Sequence, residues 1–327
     1  MENKCLAKQG KGFYTWAADS FSGIAEFDSN RSALNVARAF AQGFTSFAAI
    51  VGPSGWGKTL LLHSTEKALQ KRFPGDVKRL SCSDFLSNAQ LYQKTRVLIL
   101  DDVQEIYHSL KNRQLFFRHL EQRIRTGKPT FLAASPNGLT TLRSLLPSPS
   151  RWQVVTLDEP NIEEKVSAVR EICHLEGIHL RPEAIRLIAK SVAGNGRSLL
   201  GALTRLKISV GNKLKRLDPL RLMGLLEPYL AEKTYAHLKE LTEEAISRCM
   251  NLRICKGKPK CSLMLAIYIL RGVAEIGEEK VATLLDVAPG EVFRLYKQCE
   301  RALKDGEPGL KNCISRCLSR IRKNLYG

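Results

Sequence analysis

The sequence predicts a parallel α/β domain with helices on both faces of its sheet, followed by an all-helical region. Three observations carry this. Short apolar runs alternate with helical segments up to about residue 157, GPSGWGKT at 52–59 stands between an apolar run and an apolar helix, and strand patterns stop after Pro160. Strand–helix alternation is the signature of a parallel sheet, because each parallel crossover needs a covering element.

The elements follow in order. Residues 31–43 (RSALNVARAFAQG) have helical spacing and end at Gly43. Phe47–Val51 (FAAIV) has the length and composition of a fully buried parallel strand. A helix from about Thr59 to Arg72 is stopped by Phe73-Pro74-Gly75. Asp76–Ser81 is a weaker strand, and Val97–Leu100 (VLIL) is a buried one closing on Asp101-Asp102. A helix over Arg113–Thr126 leads to strands at Thr130–Ala134 and Val154–Leu157. Beyond Pro160, helical spacing covers Ile162–Glu176, Pro182–Ala193 and Arg197–Val210. After a polar, basic stretch at 211–219 it resumes over Arg221–Leu230, Leu238–Met250, Ser262–Val273, Lys280–Leu285, Glu291–Lys304 and Leu310–Arg322.

Composition narrows the partners. The chain of 327 residues has 51 Lys+Arg against 32 Asp+Glu, a net charge of +19, which favours a polyanion. Residues 190–327 hold 26 basic against 14 acidic side chains, so the excess sits mainly in the helical region. No apolar run approaches the ~20 residues that cross a bilayer. The opening MENKCLAKQGKGFYTW lacks the apolar core of a signal peptide, so a cytoplasmic protein is expected. Its nine cysteines then read as reduced thiols.

GPSGWGKT matches GxxxxGK[ST], whose glycines let consecutive backbone N–H groups wrap a phosphate. The loop expected to hold a nucleotide comprises Gly52, Pro53, Ser54, Gly55, Trp56, Gly57, Lys58, Thr59 and Leu60. Lys58 supplies charge to the β- and γ-phosphates, and the Thr59 hydroxyl is a Mg²⁺ ligand. The positive end of the following helix adds to the attraction. VLILDD at 97–102 ends a buried strand on two carboxylates. Asp101 is the expected Mg²⁺-side group, and Asp102 is placed to polarise the attacking water.

Together GPSGWGKTLLLH, VLILDDVQEI and NGRSLLGALTRL (195–206) resemble the AAA+ module of the bacterial replication initiator DnaA family. The resemblance implies an AAA+ nucleotide-binding domain over 1–159, a helical lid over 160–215, a linker helix over 216–236 and an all-α, helix-turn-helix-type DNA-binding domain over 237–327. It implies ATP and Mg²⁺ as cofactors and slow ATP hydrolysis used as a switch. It puts Arg197 on the lid facing the γ-phosphate and Ser29-Asn30 at the adenine side. Ser135 takes the sensor-1 position, where the family usually has Asp. Arg151, or Arg143 in its place, becomes the arginine finger that completes a neighbour's site. The implied partners are double-stranded DNA, further copies of the chain through AAA+ interfaces, and replication proteins, in a bacterial cytoplasm at the nucleoid.

Two departures accompany the resemblance. Between Phe85 and Asp101 there is room for about one short helix where the family carries a helical insertion, and the family's N-terminal helicase-contacting domain has no counterpart ahead of the AAA+ pattern. These favour a regulator or helicase-loading adaptor as the rival reading. At the other end, NLRICKGKPKCSLMLAIYILR (251–271) resembles the family's basic loop and following helix, which implies phosphate contacts by Arg253, Lys256, Lys258 and Lys260. VATLLDVAPGEVFRLYKQCERAL (281–303) has helix-turn-helix spacing with its turn at 286–290. The recognition helix is expected from Glu291, with Arg294 and Lys297 one turn on. The family's Asp-His-Thr-Thr start is replaced by APGEV, so an altered or relaxed DNA preference is expected, and an ATP-switched regulator of transcription or transposition is a third reading. No Cys-x₂-Cys pair completes a zinc set; Cys313 and Cys317 read as small apolar residues of a packing helix.

Overall fold

The computed structural model describes residues 21–22, 24–135, 139–211, 217–250 and 259–326. They fall into two compact units, 1–164 and 165–327.

The first unit is built in chain order from α1 (Asp28–Gln42), β1 (Phe47–Val51), α2 (Lys58–Arg72), β2 (Val77–Ser81), α3 (Cys82–Ser87), α4 (Ala89–Gln93), β3 (Val97–Asp101), α5 (Leu110–Arg125), β4 (Thr130–Ala134), α6 (Leu139–Leu145) and β5 (Gln153–Thr156). The five strands form one sheet in the order β2-β3-β4-β1-β5, and every pairing is parallel. β1, β3 and β4 are buried along their whole length, which is why they read as unbroken apolar runs. Their side chains alternate between two cores. Phe47, Ala49, Val51, Leu98, Leu100 and Leu132 face one, with Phe85, Phe116, Leu120 and Trp152. Ala48, Ile50, Ile99, Phe131 and Ala133 face the other, with Leu34, Phe40 and Leu62. Each large apolar side chain removed from water contributes about 1.5–3 kcal/mol.

The stretch between β2 and β3 holds two short helices rather than the single one expected. Ser81 caps α3 by accepting from the Asp84 N–H, and Asn88 (φ −137°, ψ 36°) leaves helical geometry before α4 resumes. A polar cap and an off-helix asparagine split a segment whose length alone allows one helix. Helix α6 has no counterpart in the sequence reading.

The second unit contains most of α7 (Ile162–Leu175), then α8 (Pro182–Ser191), α9 (Gly196–Val210), α10 (Pro219–Leu225), α11 (Glu232–Met250), α12 (Pro259–Ile267), α13 (Glu278–Leu285), α14 (Pro289–Lys304) and α15 (Pro308–Tyr326). Residues expected as one linker helix over 216–236 are broken. α10 gives way to a 3₁₀ turn at Glu227–Tyr229, whose Tyr229 carbonyl accepts from the Ala193 N–H, and α11 starts at Glu232. Pro228 inside that turn cannot donate a helical hydrogen bond, which ends α10. Helix α12 runs into a π-helical turn, Tyr268–Val273, where Tyr268 stacks on Tyr296 of α14 with ring centroids 6.0 Å apart. Helix α15 packs against α11, α10 and α8 of the same unit. No helix among the described residues is long and apolar enough to cross a membrane.

Candidate functional site

The loop 52–57 lies at the carboxyl end of β1, between a strand and the first turn of α2. Gly57 has φ 108°, a left-handed conformation that β-carbons resist, and it turns the chain so that α2 starts with its N–H groups open toward the loop. Gly52 is fixed by a different demand: a Cβ there would stand 2.4 Å from the Leu157 carbonyl oxygen beside β5. The Lys58 side chain is buried and folds back over the loop, donating to the carbonyls of Gly52 at 2.7 Å and Pro53 at 3.0 Å. These two acceptors hold the ammonium over the loop that a phosphate would occupy.

Asp101 ends β3, two strands from β1 in the sheet order. Its carboxylate hydrogen-bonds the Thr59 side chain and accepts from the Asp102 N–H at 3.0 Å. Burial pushes its pKa up, the Thr59 hydrogen bond opposes that shift, and neighbouring Asp102 adds to it. A carboxylate whose pKa burial pushes up is the electrostatic setting that a divalent ion relieves. The Thr59–Asp101 contact joins the two residues that a Mg²⁺ ion would share.

Asp102 occupies a left-handed backbone position (φ 53°, ψ 43°), which re-aims its side chain at the strand end. The Gln104 amide donates to Asp102 Oδ1 at 2.8 Å, and Gln104 Oε1 accepts from the Ser135 N–H at 2.9 Å. Gln104 therefore ties Asp102 to Ser135, the residue after β4. Nothing in VLILDDVQEI marks Gln104, because its role depends on the left-handed turn at Asp102. Ser135 is joined through its backbone N–H, for which the side chain's identity is immaterial.

Ser29-Asn30 is part of the first turn of α1. Asn30 Oδ1 accepts from the Phe27 N–H at 2.8 Å and its amide donates to the Ala25 carbonyl. The Ser29 N–H donates to Glu164 Oε1 at 3.1 Å, and the Ser29 carbonyl accepts from the Asp158 N–H at 2.9 Å. Burial tends to raise the Glu164 carboxyl, but the N–H groups of Ser29 and Asn161 outweigh it and hold it below its usual range. Glu164 was not singled out in the sequence, where it reads as one of several acids in the first turn of a helix.

The remaining predicted residues are more dispersed. Arg151 closes a 3₁₀ turn before β5, and its guanidinium lies 5.8 Å from the Phe47 ring, at the amino end of β1 and so at the opposite end of the strands from the phosphate loop. Arg143 is exposed on α6. Arg197 belongs to the second unit, in the first turn of α9, where Asn195 caps the helix by accepting from the Arg197 and Ser198 N–H groups. Arg253, Lys256 and Lys258 lie outside the described residues, and Lys260 falls within α12. Helix α13, a turn with Asp286 at φ 54°, and α14 form the helix-turn-helix, with α14 starting at Pro289, two residues earlier than the sequence placed it. On α14, Arg294 pairs with Glu291 at 3.0 Å and Lys297 with Glu300 at 2.8 Å.

A phosphate loop at the carboxyl end of the first strand, a carboxylate pair at the end of the third, and the strand order β2-β3-β4-β1-β5 define a P-loop module with the AAA+ fold. No protein-family model matches the chain. It is 28% identical over 211 residues to the chromosomal replication initiator protein DnaA of Flavobacterium psychrophilum, a match covering 57% of this chain and 44% of that protein. It is 28% identical over 173 residues to DnaA of Mycobacteroides abscessus, covering 48% and 35% respectively. The chain thus matches less than half the length of either relative. Among solved structures, domain III of the Thermotoga maritima replication initiation protein DnaA superposes with a TM-score of 0.55 at 23% identity, over 63% of this chain and 95% of that one. AMPPCP-bound DnaA from Aquifex aeolicus superposes with a TM-score of 0.53 at 18% identity, over 91% and 96%. The chain is similar in sequence to DnaA proteins over part of its length and shares the fold of their solved structures.

Proposed function

We propose that the protein is a DnaA-type ATP switch: it binds ATP with Mg²⁺ at the phosphate loop, hydrolyses it slowly, and acts on double-stranded DNA in the initiation or regulation of replication. The observation that carries the nucleotide half is the Lys58–Thr59–Asp101 constellation at one end of the sheet. ATP-analogue-bound DnaA structures of the same fold support it. In this reading Asp101 and Thr59 hold Mg²⁺, Asp102 orients the attacking water, Gln104 positions Asp102, and Arg197 senses the γ-phosphate. Arg151 or Arg143 of a second copy would complete the site.

The roles of Asp102 and Gln104 are separable. Asp102→Asn is expected to lower the single-turnover ATP hydrolysis rate about 10²–10⁴-fold, the range for a lost general base, while ATP affinity changes little. Gln104→Ala should give a smaller loss of the same kind, since it only frees Asp102 to rotate. Equal losses of affinity and rate in Asp102→Asn would remove the water-orienting role.

The DNA half rests on the net charge of +19 and the basic excess of the helical region. Duplex retention in filter binding is expected at ~50 mM salt and should fall steeply by 200 mM, because each phosphate contact releases a counterion. Absence of retention at the lower salt would remove duplex DNA as a partner. A second reading is favoured by one observation. Arg294 and Lys297 are each paired with a carboxylate of their own helix, and an acidic Glu291 stands in its first turn. That arrangement suits a regulator or adaptor working through protein contacts, and it predicts ATP-dependent capture of replication proteins without duplex binding.

A further inference from the structure

Three cysteines in the second unit are brought together across 68 positions of sequence. Cys249 lies in the last turn of α11, and Cys313 and Cys317 lie one helical turn apart on α15. All three are buried, and their sulfur atoms lie within 4.8 Å of one another. The Cys317 thiol also reaches the Ala245 carbonyl of α11, at 3.6 Å. Hydrogen bonding from the Cys317 thiol lowers Cys313 to about 7, against the effect of burial and with help from Cys249 and Arg316, while Cys317 is pushed up.

The donor set selects the ligand. Among the described residues three thiols come together without a carboxylate or imidazole, a set that does not suit Ca²⁺ or Mg²⁺, and a structural zinc site needs a fourth donor. Soft cations accept thiolate ligation. Sulfurs about 2.3 Å from a common centre stand roughly 4 Å apart, so the observed trio closes around an ion with small side-chain rotations. Charge decides among the soft cations. Three thiolates leave a net negative charge with a monovalent or divalent ion, which is costly in a buried apolar setting, and none with a trivalent one.

We propose that Cys249, Cys313 and Cys317 form a three-thiolate site for a trivalent thiophilic centre of the arsenite class, which would cross-link α11 to α15. In binding, As(OH)₃ exchanges three hydroxyls for three thiolates. Each thiol proton leaves with a hydroxyl as water, and no electrons are transferred. Because α15 packs on α8 and α10 as well, the ligand would stiffen the helical unit as a whole.

Native mass spectrometry of the fully reduced, full-length chain with one equivalent of sodium arsenite tests this. The expected product gains one arsenic and loses three hydrogens. Cys249→Ala, Cys313→Ala and Cys317→Ala should each abolish that adduct, and Cys261→Ala should retain it. Thermal melting of the unsubstituted protein gives a readout that needs no variant: arsenite should raise the melting temperature. Failure to form the adduct, an adduct that survives Cys249→Ala, loss of only two hydrogens, or preferential capture of Cu(I) in competition would each overturn the assignment.

Discussion

Lys58→Ala is expected to weaken ATP and ADP binding roughly ten- to a hundredfold, the equivalent of losing one or more charge-assisted hydrogen bonds at about 1.5–3 kcal/mol. The size follows from where the side chain sits. Its ammonium is buried and held over the loop at 2.7 and 3.0 Å by the carbonyls of Gly52 and Pro53. Alanine removes the charge and leaves both carbonyls without that donor, so the loop loses shape as well as attraction. Lys58→Arg tests the same point differently, because a planar guanidinium cannot follow the loop as a compact ammonium does. Titration of a fluorescent ATP analogue measures the effect, with circular dichroism checking the fold. Unchanged affinity in Lys58→Ala would overturn the nucleotide site itself.

Arg123→Met is expected to destabilise the α/β unit by about 3–5 kcal/mol, which lowers the melting temperature by roughly 6–20 °C in a unit of this size. Arg123 is completely buried on α5 and faces no carboxylate in its hydrogen bonding. Its guanidinium donates to the carbonyls of Tyr92, Thr95, Arg96 and Pro129, and its Nε to Thr130 Oγ1 at 2.8 Å. The Tyr92 and Pro129 carbonyls also accept from the Thr95 and Leu98 N–H groups, so the loss falls chiefly on Thr95 and Arg96. Methionine keeps the apolar stem and the volume while removing every donor. Arg123→Lys should fall between the two, since one ammonium cannot reach five acceptors. Calorimetry of the full chain checks the order Arg, Lys, Met. The segment Arg123 grips leads directly into β3, so the clamp also sets the strand that delivers Asp101 to the site.

Much of the first unit was legible in the sequence because its strands are covered on both faces. A strand such as FAAIV or VLIL must be apolar at every position, and that leaves an unmistakable run. The phosphate loop was legible for a related reason: wrapping a phosphate requires glycines and a lysine at fixed spacing. The split of α3 from α4, helix α6 and the broken linker were not. Each turns on one residue's local geometry, as at Asn88, or on a contact with a distant segment, as between Tyr229 and Ala193. Arg123 reads in sequence as one more basic residue near a helix end, and only the fold makes it the donor to five groups.

By itself the sequence determined the P-loop class of the first domain, its strand order of appearance, the nucleotide loop 52–60 and the carboxylate pair 101–102, since these follow from local pattern and spacing. Tertiary structure alone decided that the Thr59 hydroxyl meets Asp101, that Gln104 ties Asp102 to Ser135, and that Cys249 joins Cys313 and Cys317. The reason is physical. Hydrogen-bond partners and thiol clusters are set by which elements pack together, and residues distant in sequence carry no periodic mark of the neighbour they will meet.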